Sequence, residues 1–194
     1  MSSQKSSLTP ILKFAHQLAK ERLQAGDVAV DATMGNGHDT LMLAQAVGHT
    51  GKVYAFDVQE QALIRTQERL HQHQALTPVT LIQASHEFLD RYIQNETPKI
   101  IMFNFGYLPG ADKQYTTQTQ TSLTALDKAI SLLSEKGLLI LCIYPGHEEG
   151  AKESVAIEQW ARALPQSHYQ VLQYGFINLI NRPPYLLAIE KLPS

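Results

Sequence analysis

The stretch that decides the fold is Val28-Ala-Val-Asp-Ala-Thr-Met-Gly-Asn-Gly-His-Asp-Thr40. Its first three residues form an apolar run that suits a buried parallel strand, and Asp31 ends this run. Gly35 and Gly37 allow backbone angles, or a close ligand approach, that a Cβ atom would block. Asp39 or Thr40 is then placed to cap a following helix. The pattern predicts a strand, a tight loop and a helix start at which a nucleoside cofactor could bind.

The spacing of the glycines argues against a dinucleotide site. A dinucleotide fingerprint needs a third glycine after two intervening residues, but Gly37 is followed by His38, Asp39 and Thr40. What remains, Asp-x-x-x-Gly-x-Gly, resembles the first motif of S-adenosylmethionine-dependent methyltransferases, although Thr33 stands where many of them carry another glycine. A plain strand-to-helix turn also uses glycines, so this stretch alone leaves a purely structural role open.

Composition indicates one globular domain that spans residues 1–194, with a frayed terminus at residues 1–7. The chain has 194 residues, of which 44% are hydrophobic and 18% are charged, which is ordinary for a globular domain. A net charge of −2 and a pI near 6.4 argue against a protein that holds long nucleic acid by its overall field. A local basic patch remains open.

Cysteine usage and the N-terminus bear on the compartment. The single cysteine, Cys142, excludes an internal disulfide and a metal site built from several cysteines. No apolar N-terminal segment resembles a signal peptide or a membrane span. We therefore expect a cytoplasmic protein that has no membrane partner and binds no metal. The number of subunits stays open, with a homodimer among the alternatives.

Periodicity along the chain predicts alternating strands and helices. Short apolar runs predict seven strands, at residues 28–30, 52–57, 79–83, 100–105, 138–144, 169–174 and 185–189. Helical spacing predicts helices at residues 8–23, 41–47, 59–72, 121–133 and 152–164. The last connection is too short for a helical crossover, so the last strand should pair antiparallel. The expected fold class is α/β, with a seven-stranded, mostly parallel sheet and helices on both faces, which places ligands at the carboxyl ends of the strands.

Polar residues follow the second and third strands at this edge. Asp57 ends the second strand, where an acid accepts hydrogen bonds from the hydroxyls of an adenosine ribose, and Gln59 can reach the same sugar or the base. Ser85 and His86 follow the third strand and could contact the adenine edge or the ribose. No second histidine or cysteine stands at ligand spacing from His86, which argues against a metal. An exposed loop acid is the alternative for Asp57.

The fourth and fifth strands end in a possible acceptor site. Asn104 ends the fourth strand, and Tyr107 follows in a loop rich in glycine and proline. Asn-x-x-Tyr at this position marks methyltransferases that act on amino groups, in which the amide oxygen accepts a hydrogen bond from the amine and the ring stacks on a planar base. His147 could hold the amine neutral, contact a phosphate or merely cap the loop. Lys113 and Arg182 are the cations that we expect to contact phosphates.

These segments together resemble one family over nearly the whole chain, the rRNA methylase family of the MnmM type. The segments are Asp31–Thr40, Phe56–Gln59, Asn104–Gly110, Gly146–His147, Tyr174–Asn178 and Pro183–Pro184. The resemblance implies a Rossmann-like class I methyltransferase fold with S-adenosylmethionine as the cofactor. It also implies that 5-aminomethyl-2-thiouridine is converted to its methylaminomethyl form at the tRNA wobble position, within the anticodon stem-loop. Phe105 and Ala111 replace residues that are more often leucine and glycine in the family.

The resemblance also implies the roles of individual residues. The acceptor amine would face Asn104, Tyr107 and His147, whereas the cofactor would contact Asn36, Gly37, Asp57, Gln59, Ser85 and His86. We expect Asp31, Gly35 and Asp39 to line the same cofactor site. Three rivals remain open: a methyltransferase for rRNA, one for a small-molecule amine, which the acidic pI favours, and a non-catalytic nucleotide-binding protein. A nicotinamide enzyme is disfavoured by the glycine count.

Overall fold

Seven strands form one sheet in the computed structural model of the chain, which describes residues 7–105 and 119–193. The strand order is β3-β2-β1-β4-β5-β7-β6. The strands are β1 (Val28–Asp31), β2 (Lys52–Asp57), β3 (Val79–Gln83), β4 (Ile100–Phe105), β5 (Leu138–Ile143), β6 (Tyr169–Gly175) and β7 (Tyr185–Lys191). The order reverses at β1, which pairs in parallel with both β2 and β4. This reversal creates a crevice at the carboxyl ends of β1 and β4.

Only β7 of the described strands runs against the others. It pairs antiparallel with β5 on one side and with β6 on the other. The short connection from β6 to β7 dictates this, because a parallel return needs a crossover of a dozen or more residues. The predicted fold class, a Rossmann-like sheet with an antiparallel last strand, is confirmed.

Helices cover both faces of the sheet. They are α1 (Ile11–Arg22), α2 (His38–Val47), α3 (Glu60–Gln72), α4 (Leu89–Tyr92), α5 (Thr119–Leu132) and α6 (Glu148–Ala163). One buried cluster joins the sheet to α4, α5 and α6, and the other joins it to α1, α2 and α3. All six residues of β5 are buried, as expected for a strand that is covered on both faces. No helix within the described ranges is long and apolar enough to cross a membrane.

Two local features differ from the sequence-based expectation. A 3₁₀ turn (His86–Phe88) and α4 follow β3, where no helix was predicted. Seven residues are too few for helical periodicity to appear in a sequence. α6 begins at Glu148 rather than at Lys152, because the His147 side chain caps it.

Candidate functional site

The carboxyl ends of β1, β2 and β4 bring the predicted polar residues to one edge of the sheet. Asp31 ends β1, Asp57 ends β2, and Asn104 is the penultimate residue of β4. The turn between β1 and α2, with Gly35 and Gly37, lies over this edge. Loops from separate parts of the chain therefore meet where a ligand binds in open α/β sheets.

The two glycines of the turn are needed for backbone geometry and for packing. Both have positive φ, +50° at Gly35 and +74° at Gly37. A Cβ atom on Gly37 would lie 2.7 Å from the Thr66 hydroxyl oxygen and 2.9 Å from the Thr66 Cα. Helix α3 therefore approaches the turn closely at Gly37, and the turn packs directly against that helix.

The capping prediction for Asp39 and Thr40 is wrong. α2 begins at His38 and its N-cap is Gly37, which makes no side-chain cap. Asp39 and Thr40 lie inside the first turn, and their side chains bond elsewhere. The Thr40 hydroxyl donates to Asp31 Oδ2 over 2.6 Å, so these side chains connect the helix to the strand ends.

Asp31 stabilises the turn between β1 and α2 through hydrogen bonds. Its carboxylate is fully buried and accepts hydrogen bonds from the Thr40 hydroxyl and, over 3.2 Å, from the Thr33 N–H. Burial and the nearby charge of Asp39 raise the pKa of Asp31 to about 7. These bonds give Asp31 a structural role, and its contact with a cofactor stays a prediction.

Asp57 holds the glycine turn through its carboxylate, and its contact with a ribose stays a prediction. Oδ2 accepts from the Gly35 N–H and Oδ1 from the Gln59 N–H, each over 3.0 Å. Burial raises the pKa of Asp57, and hydrogen bonds from the backbone of Gln59, Gly35 and Val58 oppose that shift. Because a carboxylate has about four acceptor positions, it retains capacity for a further hydroxyl donor. The half-buried Asp57 thus links the glycine turn to the start of α3.

Asn36 is held by arginines of α3. Arg69 Nε donates to the Asn36 carbonyl oxygen over 2.7 Å, and Arg65 donates to Asn36 Oδ1 over 3.3 Å. The turn is therefore fixed from two sides, by Asp57 at Gly35 and by Arg69 at Asn36. Such fixing preorganises a backbone that would contact a ligand.

Ser85 and His86 lie at the next strand end. Ser85 caps the 3₁₀ turn by accepting from the Glu87 N–H over 3.4 Å. His86 is 9% exposed and packs edge-on against Phe103 and Phe105. Burial lowers the pKa of His86 to about 4, so the ring is neutral near pH 7. His86 Nε2 is buried and has no hydrogen-bond partner among the described residues, and the contact of His86 with a cofactor stays a prediction.

Asn104 is fixed at both its backbone and its side chain. Its N–H donates to the Thr33 hydroxyl over 2.7 Å, and its Nδ2 donates to Asp39 Oδ2 over 2.7 Å. Thr33, which replaces a glycine common in methyltransferases, therefore ties the motif turn to the end of β4. With Nδ2 bonded to Asp39, the opposite amide atom, Oδ1, is the hydrogen-bond acceptor.

Asp39 is shared between Asn104 and a residue that the sequence did not single out, His16. His16 Nε2 lies 2.5 Å from Asp39 Oδ1. Burial raises the pKa of Asp39, but hydrogen bonds from His16 and Asn104 outweigh burial and hold it below its ordinary value. Sequence reasoning missed His16 because a histidine on the polar face of a helix has no distinguishing pattern. The predicted contact of Asp39 with the cofactor stays a prediction.

His147 caps α6. Its Nδ1 accepts from the Gly150 N–H over 3.0 Å. The lone pair needed to receive a proton at Nδ1 is thus engaged in the cap. Of the alternatives left open for His147, the structure favours capping.

The remaining predicted residues lie at loops or outside the described ranges. Arg182 is exposed in the loop between β6 and β7, with φ of +48°. Tyr107 and Lys113 lie outside the described residues. Within residues 7–105 and 119–193, no three histidine, cysteine, aspartate or glutamate side chains come together as metal ligands.

Comparison with known proteins identifies relatives over most of the chain. A family described as "Putative rRNA methylase" matches residues 53–190. The Arabidopsis thaliana "tRNA (mnm(5)s(2)U34)-methyltransferase, chloroplastic" is 34% identical over 188 residues, which cover 91% of this chain and 68% of that protein. The family predicted from the sequence is thereby confirmed.

Solved structures agree with this match. A "putative rRNA-methylase" from Clostridium thermocellum superposes with a TM-score of 0.93 at 37% identity, covering 96% of this chain and 100% of that one. A "putative methyltransferase" from Streptococcus mutans, solved in complex with SAH (S-adenosylhomocysteine), has a TM-score of 0.86 at 40% identity, covering 95% and 99%. Sequence and structure together show that the chain belongs to the "Putative rRNA methylase" family of Rossmann-like methyltransferases.

Proposed function

We propose that this protein is an S-adenosylmethionine-dependent N-methyltransferase that converts 5-aminomethyl-2-thiouridine to 5-methylaminomethyl-2-thiouridine at the tRNA wobble position. The observation that carries the choice of substrate is the 34% identity, over 91% of the chain, to a relative named for this modification. The geometry around Asn104 supports an amine as the acceptor, because it presents a neutral amide oxygen at the end of β4.

The residues at the ends of β2 and β3 fit the cofactor. Asp57 would accept hydrogen bonds from the ribose hydroxyls, with Gln59 beside it, since the carboxylate is half-buried and retains acceptor capacity. Ser85 and His86 would contact the adenine, since both follow the end of β3 at this edge of the sheet. The turn at Gly35, Asn36 and Gly37 would follow the rest of the cofactor. When bound, S-adenosylmethionine supplies an electrophilic methyl group.

The acceptor side needs orientation and an uncharged amine. Asp39 fixes the Asn104 amide, so that Oδ1 can accept a hydrogen bond from the amine N–H and aim its lone pair. Tyr107 would stack on the uracil ring, and His147 would border the same space. An ammonium ion has no lone pair for methyl transfer, so the site must favour the neutral amine, and partial burial does so.

RNA would be held by local cations, since the chain carries a net charge of −2. Arg182 is exposed on the loop between β6 and β7, at the edge of the sheet that carries Asn104. Lys113 follows the Asn104 strand in sequence. Lys13 and Lys20 add two cations in a groove that also includes His16. With few phosphate contacts, methyl transfer should depend only shallowly on salt concentration.

The test is methyl transfer to tRNA isolated from a strain that lacks this enzyme. Mass spectrometry of the nucleosides should show 5-methylaminomethyl-2-thiouridine after incubation with the protein and S-adenosylmethionine. Unmodified tRNA, rRNA and the free nucleoside serve as controls. Methylation of unmodified tRNA would contradict the amine assignment. Equal efficiency on the free nucleoside would favour the small-amine alternative, which the acidic pI supports.

A variant pair tests the acceptor site. Asn104→Ala should abolish turnover and spare cofactor affinity, whereas Asp57→Ala should weaken cofactor affinity. Calorimetry with S-adenosylhomocysteine and single-turnover rates separate the two effects. A loss of cofactor affinity in Asn104→Ala, with unchanged transfer at saturating cofactor, would move Asn104 to the cofactor side of the pocket.

A further inference from the structure

His16, on the N-terminal helix, is part of the hydrogen-bonded group that holds the acceptor residue. His16 Nε2 lies 2.5 Å from Asp39 Oδ1, and Asn104 Nδ2 lies 2.7 Å from Asp39 Oδ2. The two oxygens of one carboxylate therefore connect α1 to the end of β4. Because Asn104 is the residue proposed to receive the amine, Asp39 connects His16 to the proposed acceptor residue.

The bond to Asp39 determines the tautomer of His16. An ionised carboxylate only accepts hydrogen bonds, so Nε2 carries a proton. In the neutral ring, Nδ1 then carries the lone pair and can accept a proton. Asp39 stays ionised, because hydrogen bonds from His16 and Asn104 outweigh burial and lower its pKa. A carboxylate that both orients a histidine and stabilises its cation is the arrangement that general-base catalysis uses.

His16 also has access to the outside. It lines an open groove of about 460 Å³ together with Lys13, Gln17, Lys20 and Glu21. The His16 side chain is 28% exposed, whereas the Asp39 side chain is 11% exposed. The ring thus lies between a buried carboxylate and an open groove that is lined by residues of α1.

The other histidines at this edge are less suited to accept a proton. His147 Nδ1 accepts the capping bond from Gly150. His86 packs edge-on against Phe103 and Phe105, and burial lowers its pKa to about 4. Among the described histidines at the edge, His16 combines a carboxylate partner with an open face.

We propose that His16 is the proton acceptor of the reaction, with Asp39 as its positioning residue. The proposal rests on the proposed function, in which an aliphatic amine receives the methyl group. In the proton transfer, an N–H bond of the substrate ammonium breaks and its electron pair stays on nitrogen as the lone pair. The proton forms a new bond to His16 Nδ1 and leaves to solvent through the groove.

Several charged or titratable groups face this pair. They are Lys13, Lys20 and Glu21 on α1, His38 on α2, Asp31 at the end of β1, and Cys142 and Tyr144 in and after β5. Burial and then the charge of Asp39 raise the pKa of Cys142 to about 12, so the thiol stays neutral. Burial, together with the charge of Asp39, likewise raises the pKa of Tyr144. Because the pKa of Asp31 is raised to about 7, Asp31 also changes charge near neutral pH.

The decisive variant is His16→Gln, because the glutamine amide can donate to Asp39 as Nε2 does and cannot take up a proton. At saturating cofactor and neutral pH, its single-turnover rate should fall by about 10²- to 10⁴-fold, the usual contribution of a general base. The loss should shrink as pH rises, because solvent then deprotonates the amine. His38→Gln is the matched control, because His38 is an exposed histidine beside Asp39. Its single-turnover rate should stay within about twofold of the wild-type rate, since exposed charges are screened.

A second readout does not depend on activity. Nitrogen NMR of the wild-type protein should show neutral His16 protonated at Nε2 and unprotonated at Nδ1. The acid limb of the wild-type rate profile should coincide with the protonation of His16 that NMR follows. Calorimetry with S-adenosylhomocysteine and thermal unfolding should give wild-type values for His16→Gln.

The outcomes separate this inference from the proposed function. If wild-type protein methylates the aminomethyl tRNA and His16→Gln keeps the shape and height of the wild-type pH profile, the role of His16 is overturned and the function stands. A uniform loss at every pH would reduce His16 to a structural residue. If wild-type protein does not act on that tRNA, the proposed function fails. In that case an Nδ1-protonated neutral ring would separately overturn the assignment of His16.

Discussion

Replacing Gly37 with alanine should destabilise the protein and weaken cofactor binding, because two effects add at this position. The φ of +74° lies in the left-handed region, which costs a residue with a side chain roughly 1–2 kcal/mol. The new Cβ would lie 2.7 Å from Thr66 Oγ1 and 2.9 Å from Thr66 Cα. The Cα belongs to the backbone of α3, so it cannot rotate away, and overpacking of this kind costs about 1–3 kcal/mol.

Together, the backbone strain and the overpacking should lower the free energy of unfolding by about 2–5 kcal/mol. For a domain of this size, the middle of that range corresponds to a fall in Tm of about 10 °C. The displaced turn should also weaken cofactor affinity, since Asp57 is bonded to Gly35 in the same turn. Urea unfolding and calorimetry with S-adenosylhomocysteine measure the two effects.

Gly146→Ala is the matched control on the same edge of the sheet. A Cβ at Gly146 meets no atom of the described residues within 4 Å, so the change should stay within about 0.5 kcal/mol. If Gly37→Ala is as stable as this control and binds the cofactor equally well, then the packing of the turn against α3 does not require a glycine at position 37.

Three other changes test neighbouring bonds. Asp57→Asn should weaken S-adenosylhomocysteine binding by about 1.5–3 kcal/mol, which is the usual contribution of hydrogen bonds to a charged group. Unchanged affinity in calorimetry would contradict the ribose assignment. Thr33→Val should cost about 1–3 kcal/mol of unfolding free energy, since the part-buried Asn104 N–H loses its acceptor, whereas Thr33→Ser keeps the hydroxyl. Equal urea midpoints for the two variants would refute this. Because the pKa of Asp31 is raised to about 7, its contribution to stability is complete below its unfolded pKa of about 4 and is lost as pH rises through about 7. As pH rises from about 4.5 to about 7.5, Asp31→Asn should therefore gain stability relative to wild type in urea unfolding. Parallel curves of unfolding free energy against pH for the two proteins would contradict the raised pKa.

The sheet was predictable from the sequence because local signals define it. Apolar runs bounded by glycine, proline and acids gave each strand, and the short connection before Tyr185 gave the antiparallel last strand. Asp57 and Asn104 were found because they stand at strand ends. Their distance from the cofactor motif in sequence did not matter, since a parallel sheet brings strand ends together.

The contacts between distant segments were not predictable. The glycine at residue 37 faces Thr66, and Asp39 pairs with His16, 23 residues before it. Neither contact can be detected from the hydrophobic periodicity of the sequence. The cap at His147 was one of three readings of a histidine after a strand, and choosing among them required the position of the Gly150 N–H.

The position of β7 has a consequence for synthesis. β7 is made after β5 and β6, yet it lies between them, and among the described strands β6 pairs with β7 alone. A nascent chain that has not passed Tyr185 cannot dock β6, and it leaves one edge of the apolar strand β5 unpaired. Open edges of this kind invite pairing with other chains. We expect ribosome stalling or premature termination before Tyr185 to yield chains that aggregate or require a chaperone, although by then the chain already includes every residue of the proposed cofactor site.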